Sequence, residues 1–170
     1  MYALVDEEGE RAQDACCTVT SSENATPWDG HEASVTEQTP RPAPPIDEIS
    51  RAFWTAGRAG QLLITRCLAC GRRFHPPGPI CPYCSGRTIE PVPTEGRGRV
   101  DSFTVVRRPW IPGYDTPYVV ARVRLLEDPD VMLVANIVDC LPSEVRIGMD
   151  VDVLFEQRHD AFVPMFRPWP

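Results

Sequence analysis

From residue 96 onward, apolar side chains come in short bursts that alternate with polar ones and are cut by Pro, Gly or Asp. GRVDSFTVV, PYVVARVRLL, VMLVANIV, VDVLFEQ and AFVPMF are five such stretches, rich in Val and aromatics, and each predicts a β-strand. Between the third and fourth lies LPSEVRIGMD, which fits one helical turn closed by Gly148. Five strands with a short helix after the third is the order of an OB-fold barrel, with an SH3-like barrel as the rival arrangement. No internal repeat accompanies the pattern.

The period changes upstream. In IDEISRAFWTAGRAG, Ile46, Ile49, Phe53 and Ala56 fall at helical spacing, Asp47 and Glu48 suit a first turn, and Gly57 lies near the stop. A helix this short is marginal alone in water, so it must pack on something. Phe53 and Trp54 either fill a core or anchor a partner subunit. QLLITRC and RTIEPVP then read as two short strands. Residues 1–45 hold few large apolar groups and end in TPRPAPP, which predicts a disordered acidic leader or interdomain linker stiffened near its end. This divides the chain into a leader (1–45), a helix with a ribbon (46–95) and a barrel (96–170), a mainly β protein.

Charge sharpens that division. The net charge is −7; residues 1–45 carry nine acids and two arginines, while residues 46–170 carry fifteen of each. All the acidity lies in the leader, and a neutral remainder argues against a basic groove for nucleic acid. All 17 basic residues are arginine. Without lysine, these 170 residues cannot hold a Schiff-base aldolase centre, a pyridoxal-phosphate site or a P-loop. The start, MYALVDEEGE, lacks the basic and apolar regions of a secretory signal, and VMLVANIV is far shorter than a membrane span, so the expected location is the cytoplasm, with no membrane contact.

Between the two upstream strands stands CLACGRRFHPPGPICPYC. Cys67, Cys70, Cys81 and Cys84 have the spacing of two metal knuckles, in which two intervening residues let both sulfurs of a pair face one ion. Gly71 and Ser85-Gly86 supply the turns after each pair. Disulfides suit neither the compartment nor the paired spacing. Zn2+ fits a chain with no other sign of electron transfer, although iron could load into the same four thiols. A closed shell of four cysteines has no open position for water, so the ion is structural. His75, between the knuckles, reads as a surface or packing residue. The leader's Cys16-Cys17 pair reads as incidental thiols and Cys140 as a small buried apolar group. His31, His75 and His159 have no serine or acid at a recognisable spacing, so no catalytic residue is proposed. Arg107, Arg108 and Trp110, with Tyr114 in the following IPGYDTP loop, form a candidate partner or ligand surface at the join of the first two barrel strands.

The order of short helix with Phe-Trp, four-cysteine ribbon and neutral OB barrel resembles the rubredoxin-like zinc-ribbon plus OB-fold family formerly described as a domain of unknown function. The likeness is carried by AFWTAGRAGQLLITRCLACGRRFHPP, ICPYC, GRGRVDSFTVVRRP, PYVVARVRL, VRIGMDVDVLFE and a late FRP, and spans about residues 46–170. Ala135-Asn136 stands where the family pattern has Gly-Asn, and His75 is unusual at its place. The resemblance implies an accessory subunit of a thiolase-like enzyme acting on acyl-CoA thioesters. Retro-aldol removal of steroid side chains is the favoured setting; scaffolding of thiolase with hydroxymethylglutaryl-CoA synthase and acyl transfer in polyketide assembly are the others. It implies further that the partner supplies the catalytic residues while this chain orders the hetero-oligomer and helps form the acyl-CoA site. The alternative is a single-stranded nucleic-acid binder, a common use of ribbons and OB barrels.

Overall fold

The computed structural model describes residues 41–169; the leader's first forty residues, with Cys16, Cys17 and His31, lie outside them. Eight strands follow one short helix. Strands β4 (Arg97–Val106), β5 (Tyr118–Leu125), β6 (Met132–Ile137), β7 (Asp150–Arg158) and β8 (Ala161–Pro168) close into a barrel in the order β4-β5-β6-β8-β7. The third strand meets the fifth in parallel, Ile137 opposite Phe166, and the fourth returns antiparallel onto the first, Gly98 opposite Val151. That closure is the OB-fold order.

Alternation decides what faces in. Along β5, Val119, Ala121, Val123 and Leu125 are buried, and along β6, Leu133, Ala135 and Ile137. A register shift between Val100 and Ser102 leaves Asp101 as a bulged residue on β4. The bulge aims its carboxylate across the sheet at two outward arginines of β5: Arg124 Nη2 donates at 2.7 Å, and Arg122 also donates. These bonds hold the Asp101 carboxyl below its usual range.

The segment 141–150 differs from expectation: it forms turns, not a helix. The Leu141 N–H donates to Glu144 Oε2 and the Glu144 N–H to Leu141 O, a closed local pair of bonds. Further growth is blocked because Gly148 N–H donates to Val100 O while Met149 O accepts from Val100 N–H. The chain is drawn back to β4 after contributing Val145 to the barrel core.

Helix α1 (Arg51–Thr55) is also shorter than its apolar spacing predicts, and a 3-10 turn, Ala56–Ala59, follows it. Asp47 Oδ1 accepts from both the N–H (2.7 Å) and the hydroxyl (2.6 Å) of Ser50, folding the expected first turn into a cap-like loop. Gly57 is not the stop; Gly60, with φ of +69°, ends the segment. Gly57 is needed for another reason. A Cβ there would lie 2.5 Å from Phe155 Cδ1 and from Phe162 Cβ, so only a glycine lets this turn seat on the barrel wall.

Strand β1 (Leu62–Cys67) runs between β2 (Arg73–Phe74) and β3 (Ile89–Thr94). The Leu68 N–H donates to Thr88 O, so the antiparallel ladder bonds at Arg66–Glu90 and Ile64–Val92 and leaves Pro91 and Pro93 turned to the free edge. An edge without those N–H donors resists pairing with another strand. Phe53, Leu62 and Ile64 share one apolar cluster with the barrel interior.

Candidate metal centre and partner surface

The two cysteine knuckles are built alike. Gly71 N–H donates to Cys67 O at 2.8 Å and Cys67 N–H to Arg72 O at 2.9 Å; Ser85 N–H donates to Cys81 O at 3.0 Å and Cys81 N–H to Gly86 O at 2.9 Å. Each turn needs a left-handed residue at its close, Gly71 at φ +74° and Ser85 at φ +59°. Gly86 is held tighter still, because a Cβ would meet Cys67 Sγ, Cys84 Sγ and Ala69 Cβ, all at 3.2 Å. The N–H groups of Tyr83 and Cys84 point at Cys81 and lower its thiol pKa to about 7, whereas Cys84, although the Gly86 N–H points at it, is raised to about 12 by its neighbours Cys70 and Cys67.

These turns bring all four sulfurs within 4.8 Å of one another. Cys67 Sγ lies 3.6 Å from Cys84 Sγ, and Cys70 Sγ 3.7 Å from Cys81 Sγ. A disulfide requires about 2.05 Å. A tetrahedron of metal–sulfur bonds near 2.3 Å requires sulfurs about 3.8 Å apart. The donor set and its spacing therefore fit one tetrahedral, structural metal ion. Cys67 and Cys81 are buried and Cys70 and Cys84 exposed, so the ion would stand at the edge of the ribbon.

His75 is outside this group. Its ring packs 4.7 Å from that of Phe53, and its Nδ1 is buried with no hydrogen-bond partner. Burial lowers its pKa to about 4, so it sits neutral as a packing residue. Phe53 is 4% exposed and wedged between His75 and Trp54. Of its two expected roles the structure shows core packing. Trp54 is half-buried beside it. Cys140 is partly buried against the barrel core; burial first, then Glu144 and Asp139, pushes its thiol up, the opposite of an activated nucleophile.

The β4–β5 loop, residues 107–117, forms a second candidate surface, whose groove includes none of the four cysteines. Thr104–Trp110 line an open groove with Arg107 and Arg108 on it, and Trp110 is 86% exposed. Neither arginine has an ion-pair partner among the described residues. Tyr114, by contrast, is half-buried and lies under Arg41. Arg41 is a residue that sequence reading left in the linker. It meets Tyr118 of the barrel and, across 95 residues of chain, Asn136, and no local pattern signals a contact of that span.

Two family models match in tandem: a ChsH2 rubredoxin-like zinc ribbon domain over residues 54–90 and a ChsH2 C-terminal OB-fold domain over 91–156. A probable enoyl-CoA hydratase alpha subunit of Thermomonospora curvata is 40% identical over 137 residues, 78% of this chain but 42% of that protein. A 3-oxo-4,17-pregnadiene-20-carboxyl-CoA hydratase alpha subunit of Mycobacterium tuberculosis is 38% identical over 58% of this chain, which spans 31% of its length. A DUF35 domain-containing scaffold protein of Pyrococcus furiosus is 36% identical, covering 63% of this chain and 77% of its own. Among solved structures, a chain of the Ltp2-ChsH2(DUF35) aldolase superposes with a TM-score of 0.67 at 36% identity, covering 74% of this chain and 98% of that one. With the ribbon, the barrel order and a DUF35 scaffold relative 36% identical over 77% of its own length, the chain belongs to the DUF35 family of zinc-ribbon and OB-fold proteins.

Proposed function

We propose that this chain is a non-catalytic accessory subunit. In this reading it binds a thiolase-like enzyme acting on acyl-CoA thioesters, orders the complex and helps form the acyl-CoA site. The observation that carries the reading is the match along 98% of the DUF35 chain of the Ltp2-ChsH2 aldolase. The hydratase relatives named for a pregnadiene-carboxyl-CoA and an enoyl-CoA support an acyl-CoA substrate, and the former, taken with the aldolase match, favours retro-aldol removal of a steroid side chain. We read the ion as Zn2+ and its role as fixing the ribbon against the barrel. Four thiols gathered as ligands, not oxidised, fit work in the cytoplasm.

The contact surface in this reading combines the β4–β5 loop, with Arg107, Arg108 and Trp110, and the half-buried Trp54 on α1. An arginine fork beside an exposed indole suits the centre of a protein interface, and arginines without an acidic partner at its rim suit the phosphates of CoA. The bond-breaking groups are assigned to the partner. The test is co-expression of this chain with Ltp2, the polypeptide named beside ChsH2 in that aldolase. A stable complex that cleaves a β-hydroxyacyl-CoA, beside an inactive isolated chain, is the expected result. Turnover by the isolated chain would remove the accessory role.

A further inference from the structure

We propose that Arg41 is a positioning residue that clamps the β4–β5 loop onto the barrel. Its guanidinium carbon lies 4.9 Å from the centre of the Tyr118 ring and 5.8 Å from that of Tyr114, while Nη1 donates to Asn136 Oδ1 at 3.2 Å. Asn136 is itself oriented, since its Nδ2 donates to Val119 O at 2.8 Å. Four segments thus meet at one cation: the arm before α1, the loop through Tyr114, β5 through Tyr118 and β6 through Asn136.

The chemistry suits arginine specifically. A guanidinium is flat and weakly hydrated, so it can lie against aromatic rings while its edge keeps a directed hydrogen bond; an ammonium loses hydration in the first contact and has no fork for the second. Within the loop, the Tyr114 N–H to Ile111 O bond is long, at 3.3 Å, and Trp110 and Ile111 are exposed. Three prolines (109, 112 and 117) stiffen the loop's backbone, and Arg41 ties it to the barrel. By pinning Tyr114 beside Tyr118, it shortens the arc through which Arg107, Arg108 and Trp110 can swing. The clamp stands on these contacts alone; its consequence for assembly rests on the partner-surface reading above.

Hydrogen exchange on the intact chain, measured by mass spectrometry, tests the clamp. Arg41→Ala is expected to raise exchange across residues 107–117 about tenfold, the scale of one cation–π contact plus one hydrogen bond, and to leave 119–125 and 132–137 unchanged. Arg41→Lys should restore part of the protection, and Asn136→Ala should loosen the same peptides. Unchanged exchange in 107–117, or a rise spread over the whole barrel, overturns the proposal. The same variants are then co-purified with Ltp2. A loosened loop with undiminished complex leaves the clamp standing and removes the loop from the partner surface, so the two readings fail separately.

Discussion

The three-stranded ribbon and the five-stranded barrel are β structures held together in opposite ways. The barrel and the segments seated on it share fifteen buried apolar residues, from Phe53 to Phe166. The ribbon head has a buried cluster of three, and two of them are Cys67 and Cys81, leaving Phe74 as the one large side chain. At about 25 cal/mol per Å2 of apolar surface, a cluster of that size cannot offset the ordering of the loops around it. The comparison teaches that a segment with too few apolar residues to make a core can be ordered by four ligands to one ion. Structural zinc in finger peptides binds with an apparent ~10–16 kcal/mol, which is the scale required.

Stripping the metal should therefore split the molecule along that line. With a strong chelator, or in a Cys67→Ser variant, amide NMR signals of residues 67–88 should collapse to unfolded positions. Those of β5, β6 and β8 should keep theirs, because their core contains no sulfur ligand. Loss of both regions together would break the comparison and make the ion a support of the whole chain.

The joint between the two regions is sharpened by pH. His75 is neutral and unpartnered against Phe53, with its pKa lowered by burial from 6.5 to about 4. A group whose native pKa is depressed binds protons more readily when unfolded. Its contribution is complete above pH 6.5 and is lost as pH falls toward 4, up to about 3 kcal/mol for the full shift. Acid also displaces metal from thiolates, so the measurement is a difference: urea stability of the protein and of His75→Phe between pH 7 and 5. The variant should lose less with acid. Parallel curves would show that the buried imidazole does not feel the joint.

The smallest effect concerns the barrel's side of that joint. Gly57→Ala places a methyl within 2.5 Å of Phe155 and Phe162, and overpacking of this kind costs about 1–3 kcal/mol. For a domain of this size that is a fall in Tm of roughly 3–10 °C. Calorimetry should show it with metal content unchanged, since the substitution touches the barrel wall and not the knuckles. A drop in bound metal would mean that seating and ligation are coupled more tightly than the two-region picture allows.

How legible this was differs between the regions in the same way. The cysteine cluster was readable because knuckle chemistry is local: a Cys-x-x-Cys pair and a tight turn after it suffice, and Gly71 and Ser85 make those turns at positive φ. The barrel strands were readable because alternation along Val119–Leu125 or Leu133–Ile137 reports burial directly. The two helical expectations were too generous. Apolar spacing in 46–60 and 141–150 is compatible with a helix, but Asp47 bonding to Ser50, and Val100 bonding to Gly148 and Met149, take the backbone groups a longer helix would use. The first competitor is adjacent in sequence and could have been weighed; the second is some fifty residues away and could not.

By itself, then, the sequence determined the four-cysteine cluster, the five barrel strands and the two longer strands upstream, since each depends on residue type and short-range period, though not the two-residue β2. Tertiary structure alone decided that Phe53 packs in the core beside His75 and Trp54, that Gly57 admits Phe155 and Phe162, and that Arg41 reaches Tyr118 and Asn136. Those are contacts between distant segments. Their geometry follows from how the barrel closes, a property no local stretch of the chain contains.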